Sequence, residues 1–336
     1  MTNSSSQEKA PRLEVIGLSV DYGLKGVSSR AIDSVSFALR AGEAVGLVGE
    51  SGSGKTTTAM AVAGLLSPNA RVSSGEVLYR GNRLPIDDDA AMRPHRWCET
   101  SVVFQGAMNA LNPVHRVIKQ IAEPCMLKLG MPKADAIARA KELLGLVGIP
   151  ADRGSAYPHE LSGGMRQRVM IAMALACRPS IVVGDEPTTA LDVITQAQLL
   201  KLLGELRSQL NLALILITHD LSVVAEACDR VMIMYAGRIV EDGTVAEIFA
   251  QPKHPYTRLL IDSIPNPANG KKMIRPIPGD PPNLVNRPSG CAFHPRCPSV
   301  MAVCATEVPS LDQFGRGRVA CHLYRSSQEG KVAAHA

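Results

Sequence analysis

"GESGSGKT", residues Gly49–Thr56, decides how this chain is read. Before it stands a short apolar run, "AVGLV" (residues 44–48), of strand length; after it "KTTTAMAVAGLL" has apolar residues at helical spacing. Strand, glycine-rich loop, lysine, hydroxyl and helix follow in the order of a phosphate cradle. Gly49, Gly52 and Gly54 let the backbone approach phosphate oxygens closely, and the helix N-terminus adds the positive end of a dipole. Lys55 supplies a point charge for β- and γ-phosphates and Thr56 a hydroxyl for Mg²⁺. Ser51, Ser53 and Thr57 complete the set of residues expected to touch the nucleotide.

Two further stretches fit that cradle. "IVVGDE" (residues 181–186) places Asp185 and Glu186 at the end of a buried strand. A carboxylate there holds Mg²⁺ through water, and the next one orients or deprotonates an attacking water. Gly184 stands where such strands carry a larger apolar residue. "LSGGMRQR", from Leu161, combines Ser162, Gly163 and Gly164 with a helical run, giving a second exposed helix start with close backbone access to an anion.

The rest of the chain sets the scaffold. "RLEVIGLSV" (12–20) and "IDSVSFALRAGE" (32–43) alternate as strands, and "LALILI" (212–217) is another buried-strand run. "VMIMYAGRIVEDG" (231–243) predicts a hairpin around Ala236-Gly237. Between Gln105 and Glu160 the pattern is mostly helical. Alternating strands and helices argue for a largely parallel α/β sheet. From Gln251 proline becomes frequent, which predicts an extended, loop-rich tail. With 336 residues, 46% of them hydrophobic, the chain can bury a sizeable core. Its net charge of +5 is too mild to argue for nucleic acid. The polar start, "MTNSSSQEKAPR", is not a signal peptide, and no apolar run reaches the roughly 18 residues that span a bilayer, so a cytosolic chain is expected.

Taken together, these motifs resemble the nucleotide-binding subunit of an ABC transporter over about residues 12–250. That resemblance implies a P-loop fold with a RecA-like parallel core, an antiparallel β-subdomain and a helical subdomain at about 105–165. It implies a cassette over 12–251 and a cysteine-bearing extension over 252–336. Tyr22 in "SVDYG" is similar to the aromatic that stacks on adenine, and Gln105 in "VVFQG" to the glutamine that reaches Mg²⁺ and the attacking water. Ser162, Gly163 and Gly164 resemble the signature motif, Asp192 in "ALD" the loop that crosses the dimer interface, and His219 in "ITHD" the switch histidine on the γ-phosphate.

Members of that family bind ATP between the phosphate loop of one domain and the signature of another, so one copy of each motif implies a partner cassette. "QGAMNALNPVHRV", "HPYTRLLIDSIP" and "GCAFHPRCP" further resemble the ATPase subunits of oligopeptide and dipeptide importers. The partners so implied are a second, non-identical ATPase subunit, two integral membrane permease subunits and, indirectly, an extracytoplasmic substrate-binding protein, with this chain peripheral on the cytoplasmic face of the inner membrane. A soluble, non-transport ABC ATPase is the alternative; such proteins carry paired cassettes or long inserted arms.

Four of the eight cysteines, Cys291, Cys297, Cys304 and Cys321, gather in the tail with five, six and sixteen residues between them. Disulfides do not suit a reducing compartment. Tetrahedral zinc is open, though its paired knuckles are missing. The wide, unequal spacing suits a [4Fe–4S] cluster, with one thiolate on each iron, and the importer resemblance implies the same. A tail poor in apolar residues would draw folding free energy from such a centre.

Overall fold

The computed structural model describes residues 10–24, 27–104, 106, 110–189, 191–263 and 277–324. Strands β1 (Leu13–Leu24) and β2 (Val27–Leu39) lead to β3 (Ala44–Val48), the glycine-rich loop and helix α1 (Lys55–Val62). β4 (Ala70–Tyr79), β5 (Asn82–Arg83) and the one-turn α2 (Asp89–Met92) precede β6 (Thr100–Val103). Helices α3 (Val117–Leu129), α4 (Lys133–Leu146) and α5 (Gly163–Ala174) follow. β7 (Ile181–Asp185), α6 (Val193–Leu210), β8 (Ala213–Thr218) and α7 (Leu221–Ala227) then alternate. The hairpin β9 (Arg230–Tyr235) and β10 (Arg238–Thr244), helices α8 (Val245–Ala250) and α9 (Pro255–Asp262), and a small hairpin, β11 (Asp312–Phe314) and β12 (Gly317–Val319), complete the chain.

Two sheets result. β2-β1-β4-β5 is antiparallel, and the larger sheet runs β11-β12-β10-β9-β3-β8-β7-β6. Its part from β9 to β6 is parallel. Every residue of β3, β7 and β8 is buried, as expected of central strands covered on both faces. Val48 pairs with Thr218, and Asp185 with Ile217. The glycine-rich loop, Glu186 and His219 therefore leave neighbouring strands at one carboxyl edge, where open α/β sheets bind ligands. One apolar cluster joins α3, α4 and α5 through Val117, Ile121, Leu143, Leu144 and Val169 and continues onto the main sheet at Val103, Val182 and Leu214.

The proline-rich region departs from the extended chain predicted from Gln251. Pro255 opens helix α9, where its missing N–H and fixed φ suit the first turn, and the His254 side chain caps it. The tail is also not left to its own apolar residues. β12 pairs with β10, adding the tail hairpin to the main sheet. Phe293 is buried against Tyr235 of β9 and Tyr256 of α9, with ring centroids 5.1 and 5.3 Å apart. Asp33 of β2 receives Arg287 at 2.9 Å and Arg238 at 2.7 Å. The two regions divided at 251/252 thus share a sheet and an aromatic core.

Candidate nucleotide site

The glycine-rich loop is a ring closed by its own lysine. Lys55 Nζ donates to the carbonyls of Gly49 (2.8 Å) and Glu50 (2.7 Å) and to Ser53 Oγ (3.2 Å). Burial pulls its pKa down, while the charges of Glu186, Asp185 and Glu50 pull it back up. Gly49 has no room for a side chain, because a Cβ there would overlap the Met234 carbonyl of β9. Gly54, at φ +103°, caps α1 in a left-handed conformation that favours glycine. Ser51 and Gly52 lie exposed on the outer part of the loop.

Beside the loop, Thr56 Oγ1 donates to Asp185 Oδ1 at 3.3 Å. Asp185 is 4% exposed, and burial drives its carboxyl above the usual carboxylate range against the opposing hydrogen bond from Thr56. A buried acid short of compensating charge, next to a hydroxyl, fits Mg²⁺. That ion keeps several waters and takes only one or two protein groups beside the phosphates.

Glu186 follows in a left-handed turn, φ +46°. Its N–H donates to Ile217 O at 2.9 Å, its Oε2 accepts from Thr189 Oγ1 at 2.9 Å, and its Oε1 lies 3.0 Å from His219 Nδ1. Burial works against its charge, but the hydrogen bonds from His219 and Thr189 and the charges of His219 and Lys55 hold its pKa below the usual value. Tyr22, half-buried near the end of β1, brings its hydroxyl to 3.5 Å from Thr57 Oγ1 of α1. One end of the sheet therefore gathers Tyr22, Lys55, Thr56, Thr57, Asp185, Glu186 and His219.

Ser162 caps α5, its Oγ accepting from Met165 N at 3.3 Å, and Gly163 and Gly164 form the first turn. Asp192 caps α6, its side chain accepting from Thr195 N at 2.9 Å and Thr195 Oγ1 at 2.7 Å. A Cβ on Gly164 would meet Thr195 Cγ2 at 2.6 Å, so the starts of α5 and α6 are packed together. Gln105, expected near Mg²⁺, lies outside the described residues.

In the tail, burial raises the thiol pKa values of Cys291 and Cys297, and that of Cys321 to about 11. Every pairing among Cys291, Cys297, Cys304 and Cys321 is close enough for charge on one thiol to act on another. Among the described residues, however, no group of three or more His, Cys, Asp or Glu is arranged to hold a single metal ion. His294 Nδ1 faces Cys291 O (3.0 Å) and His322 Nε2 faces Glu307 O (2.9 Å), so each has a ring nitrogen turned to a backbone carbonyl.

Comparison with known proteins bears on the same residues. The ABC transporter model matches residues 32–189, and the oligopeptide/dipeptide transporter C-terminal region matches 240–304. The oligopeptide transport ATP-binding protein OppD of Salmonella typhimurium is 46% identical over 327 residues, 95% of this chain and 97% of that protein. The chain belongs to the ABC transporter ATP-binding subunits, in the oligopeptide/dipeptide branch.

The dipeptide transport ATP-binding protein DppD of Haemophilus influenzae is 44% identical, covering 95% of this chain and 98% of its own. Among solved structures, the dimeric MJ0796, a bacterial ABC transporter cassette, superposes with a TM-score of 0.62 at 27% identity, covering 69% of this chain and 98% of that one. As an ABC ATPase, the chain has the fold the phosphate loop foretells. No helix among the described residues is long and apolar enough to cross a membrane.

Sequence reasoning missed the part of Glu50 within the loop, Tyr256 and Arg296, which bond it, and Thr189, which bonds Glu186. Arg296 stands in "HPRC", between two of the tail cysteines, with no motif to mark it.

Proposed function

We propose that this ABC ATPase powers the import of peptides, working at the cytoplasmic face of the cell membrane on two integral permease subunits fed by an extracytoplasmic binding protein. A second, non-identical ATPase subunit completes the pair. The observation that carries this reading is the meeting of Lys55, Thr56–Asp185 and Glu186–His219 at one sheet edge, in a chain matched nearly end to end by oligopeptide and dipeptide transport subunits.

In this reading Gly49–Thr57 hold the ATP phosphates, and Tyr22 stacks on the adenine. Thr56, Asp185 and Gln105 would hold Mg²⁺, which would neutralise charge on the β- and γ-phosphates. Glu186 takes a proton from the attacking water, its carboxylate held in place by Thr189 and His219. His219 senses the γ-phosphate. Ser162, Gly163, Gly164 and Asp192 serve the site of the partner cassette. The test is ATPase activity in proteoliposomes carrying the permeases: loaded peptide-binding protein should raise it severalfold, and a rate indifferent to peptide would overturn the substrate.

Cys291, Cys297, Cys304 and Cys321 would hold a [4Fe–4S] cluster with a structural role in the tail. Their common neighbourhood supports this, and a cluster spreads its thiolates over four irons where zinc draws them to one centre. Anaerobically purified protein should be brown with about four irons per chain. Colourless protein with a single zinc would replace the cluster by a zinc site.

A further inference from the structure

An acid, Glu50, sits inside the loop that binds an anion. Like charges repel most strongly where solvent is scarce, so a bare carboxylate here would oppose the phosphates. Arg296 from the tail meets it with two prongs, Nη1 at 2.7 Å from Oε2 and Nη2 at 2.9 Å from Oε1. The rest of the guanidinium is also engaged. Nε donates to Pro278 O at 2.8 Å, Nη1 donates to Tyr235 OH at 3.1 Å, and the group lies 5.8 and 6.0 Å from the ring centroids of Tyr235 and Phe293. The Arg296 side chain is only 6% exposed, so this is not a solvated surface pair.

The main chain of Glu50 is held as well. Its N–H donates to Tyr256 OH of α9 at 2.9 Å, and its carbonyl accepts from Lys55 Nζ at 2.7 Å. The seat of the phosphate-binding lysine is thus fixed through Glu50 by two residues C-terminal to the cassette core. Arg296 sits in the single turn His294–Arg296, and Cys297 is the next residue.

We propose that Arg296 is a positioning residue for ATP binding: by pairing with Glu50 it cancels the loop's own negative charge and fixes the carbonyls that seat Lys55, so the loop is set for ATP only while the cysteine-rich tail is docked. This rests on the reading of Gly49–Thr57 as the phosphate cradle. It differs from a purely adhesive role, in which Arg296 holds the tail in place and leaves ATP affinity of the folded chain untouched. It also makes ATP binding depend on the tail, although the nucleotide motifs all lie before it, the last at His219.

The test is MgATP affinity of the full chain by calorimetry, with folding checked by circular dichroism. Arg296→Met should weaken binding by about tenfold or more, the scale of one lost charged hydrogen-bond pair. The KM for ATP should rise with it, while kcat at saturating ATP stays near wild type. Adding Glu50→Gln to Arg296→Met should restore most of the affinity, since the uncompensated charge is then gone. A merely adhesive contact predicts no loss of affinity in the folded Arg296 variant, and so nothing for Glu50→Gln to restore. If Arg296→Met does not fold, the polar and neutral Arg296→Gln carries the test, with a loss of the same kind reversed by the same Glu50→Gln. A folded Arg296 variant with unchanged affinity, or one not rescued, overturns the proposal. Lys55→Ala is measured alongside. If Lys55→Ala binds normally, the phosphate-cradle reading fails and takes the proposal with it; if Lys55→Ala loses binding and Arg296→Met does not, the proposal alone fails.

Discussion

His219 Nδ1 lies 3.0 Å from Glu186 Oε1, joining residues that leave adjacent strands β8 and β7. The strand register brings them together: Asp185 pairs with Ile217, and the Glu186 N–H closes on the Ile217 carbonyl. The price is a non-glycine residue at φ +46°, a strained conformation held by its hydrogen bonds and of the kind that gathers at functional sites. In return both carboxylate oxygens are engaged, and one of them faces the residue read as the γ-phosphate sensor.

Glu186→Gln should keep MgATP binding, because the loop and Lys55 are untouched, and lower hydrolysis by about 100-fold or more, the usual scale for a lost general base. Steady-state ATPase assays with the membrane partners decide it. Near wild-type turnover would remove Glu186 from this role.

Asp185 and Thr56 form the pair assigned to Mg²⁺. ATP affinity is expected to improve on adding Mg²⁺ in the wild type and to respond far less in Asp185→Asn. Burial already disfavours this carboxylate's charge, so the neutral amide is tolerated and the variant should fold. A fully retained Mg²⁺ response would place the ion elsewhere.

The central sheet is legible because β3, β7 and β8 are short, mostly apolar runs between turn signals, and the β9–β10 hairpin because Ala236-Gly237 interrupts two β-rich runs. β4, "ARVSSGEVLY", is hidden: serines and a glycine break its alternation, and most of it is half-buried or exposed. α9 is hidden for a different reason, since a proline that opens a helix looks like one that prevents it. Glu186 and His219, the residues proposed for catalysis, are legible because each follows its strand directly. Arg296 and Glu50 are 246 positions apart, and no local periodicity records such a pairing. Cys98 and Cys177 look scattered in sequence, yet burial raises the Cys177 pKa to about 12, and a hydrogen bond with the Cys98 side chain adds to the rise.

Acid should loosen the start of α9. His254 is buried, and burial depresses its pKa from 6.5 to about 3. Its Nδ1 accepts the Tyr256 N–H at 3.1 Å, so protonation there destroys the cap. The unfolded chain takes up a proton below pH 6.5 and the folded one only near 3, so stability is present above 6.5 and falls as pH drops between these values. The loss is at most about 1.4 kcal/mol per pH unit from this residue. Denaturant midpoints measured from pH 7 to 4 should fall in the wild type and fall less steeply in His254→Asn. Parallel slopes in the two proteins would exclude His254 as the source.

Val193 and Ile194, directly after Asp192, are 82% and 72% exposed. Single exposed apolar residues are ordinary, but these two begin α6 where it packs on Gly164 of the signature helix. A surface that combines the signature start, Asp192 and two bare aliphatic side chains is suited to cover the phosphate loop of another cassette. ATPase activity per chain should therefore rise with protein concentration, as it does when the active species is an assembly. Ile194→Glu places a charge on that surface and should shift the rise to higher concentration. MgATP affinity of the dilute single chain should stay within about twofold, since the residue is exposed and apart from the loop. Sedimentation and ATPase titrations, alone and with the partner subunit, separate the outcomes. Full activity in a dilute monomer, indifferent to concentration and to Ile194→Glu, would mean that each chain hydrolyses ATP by itself.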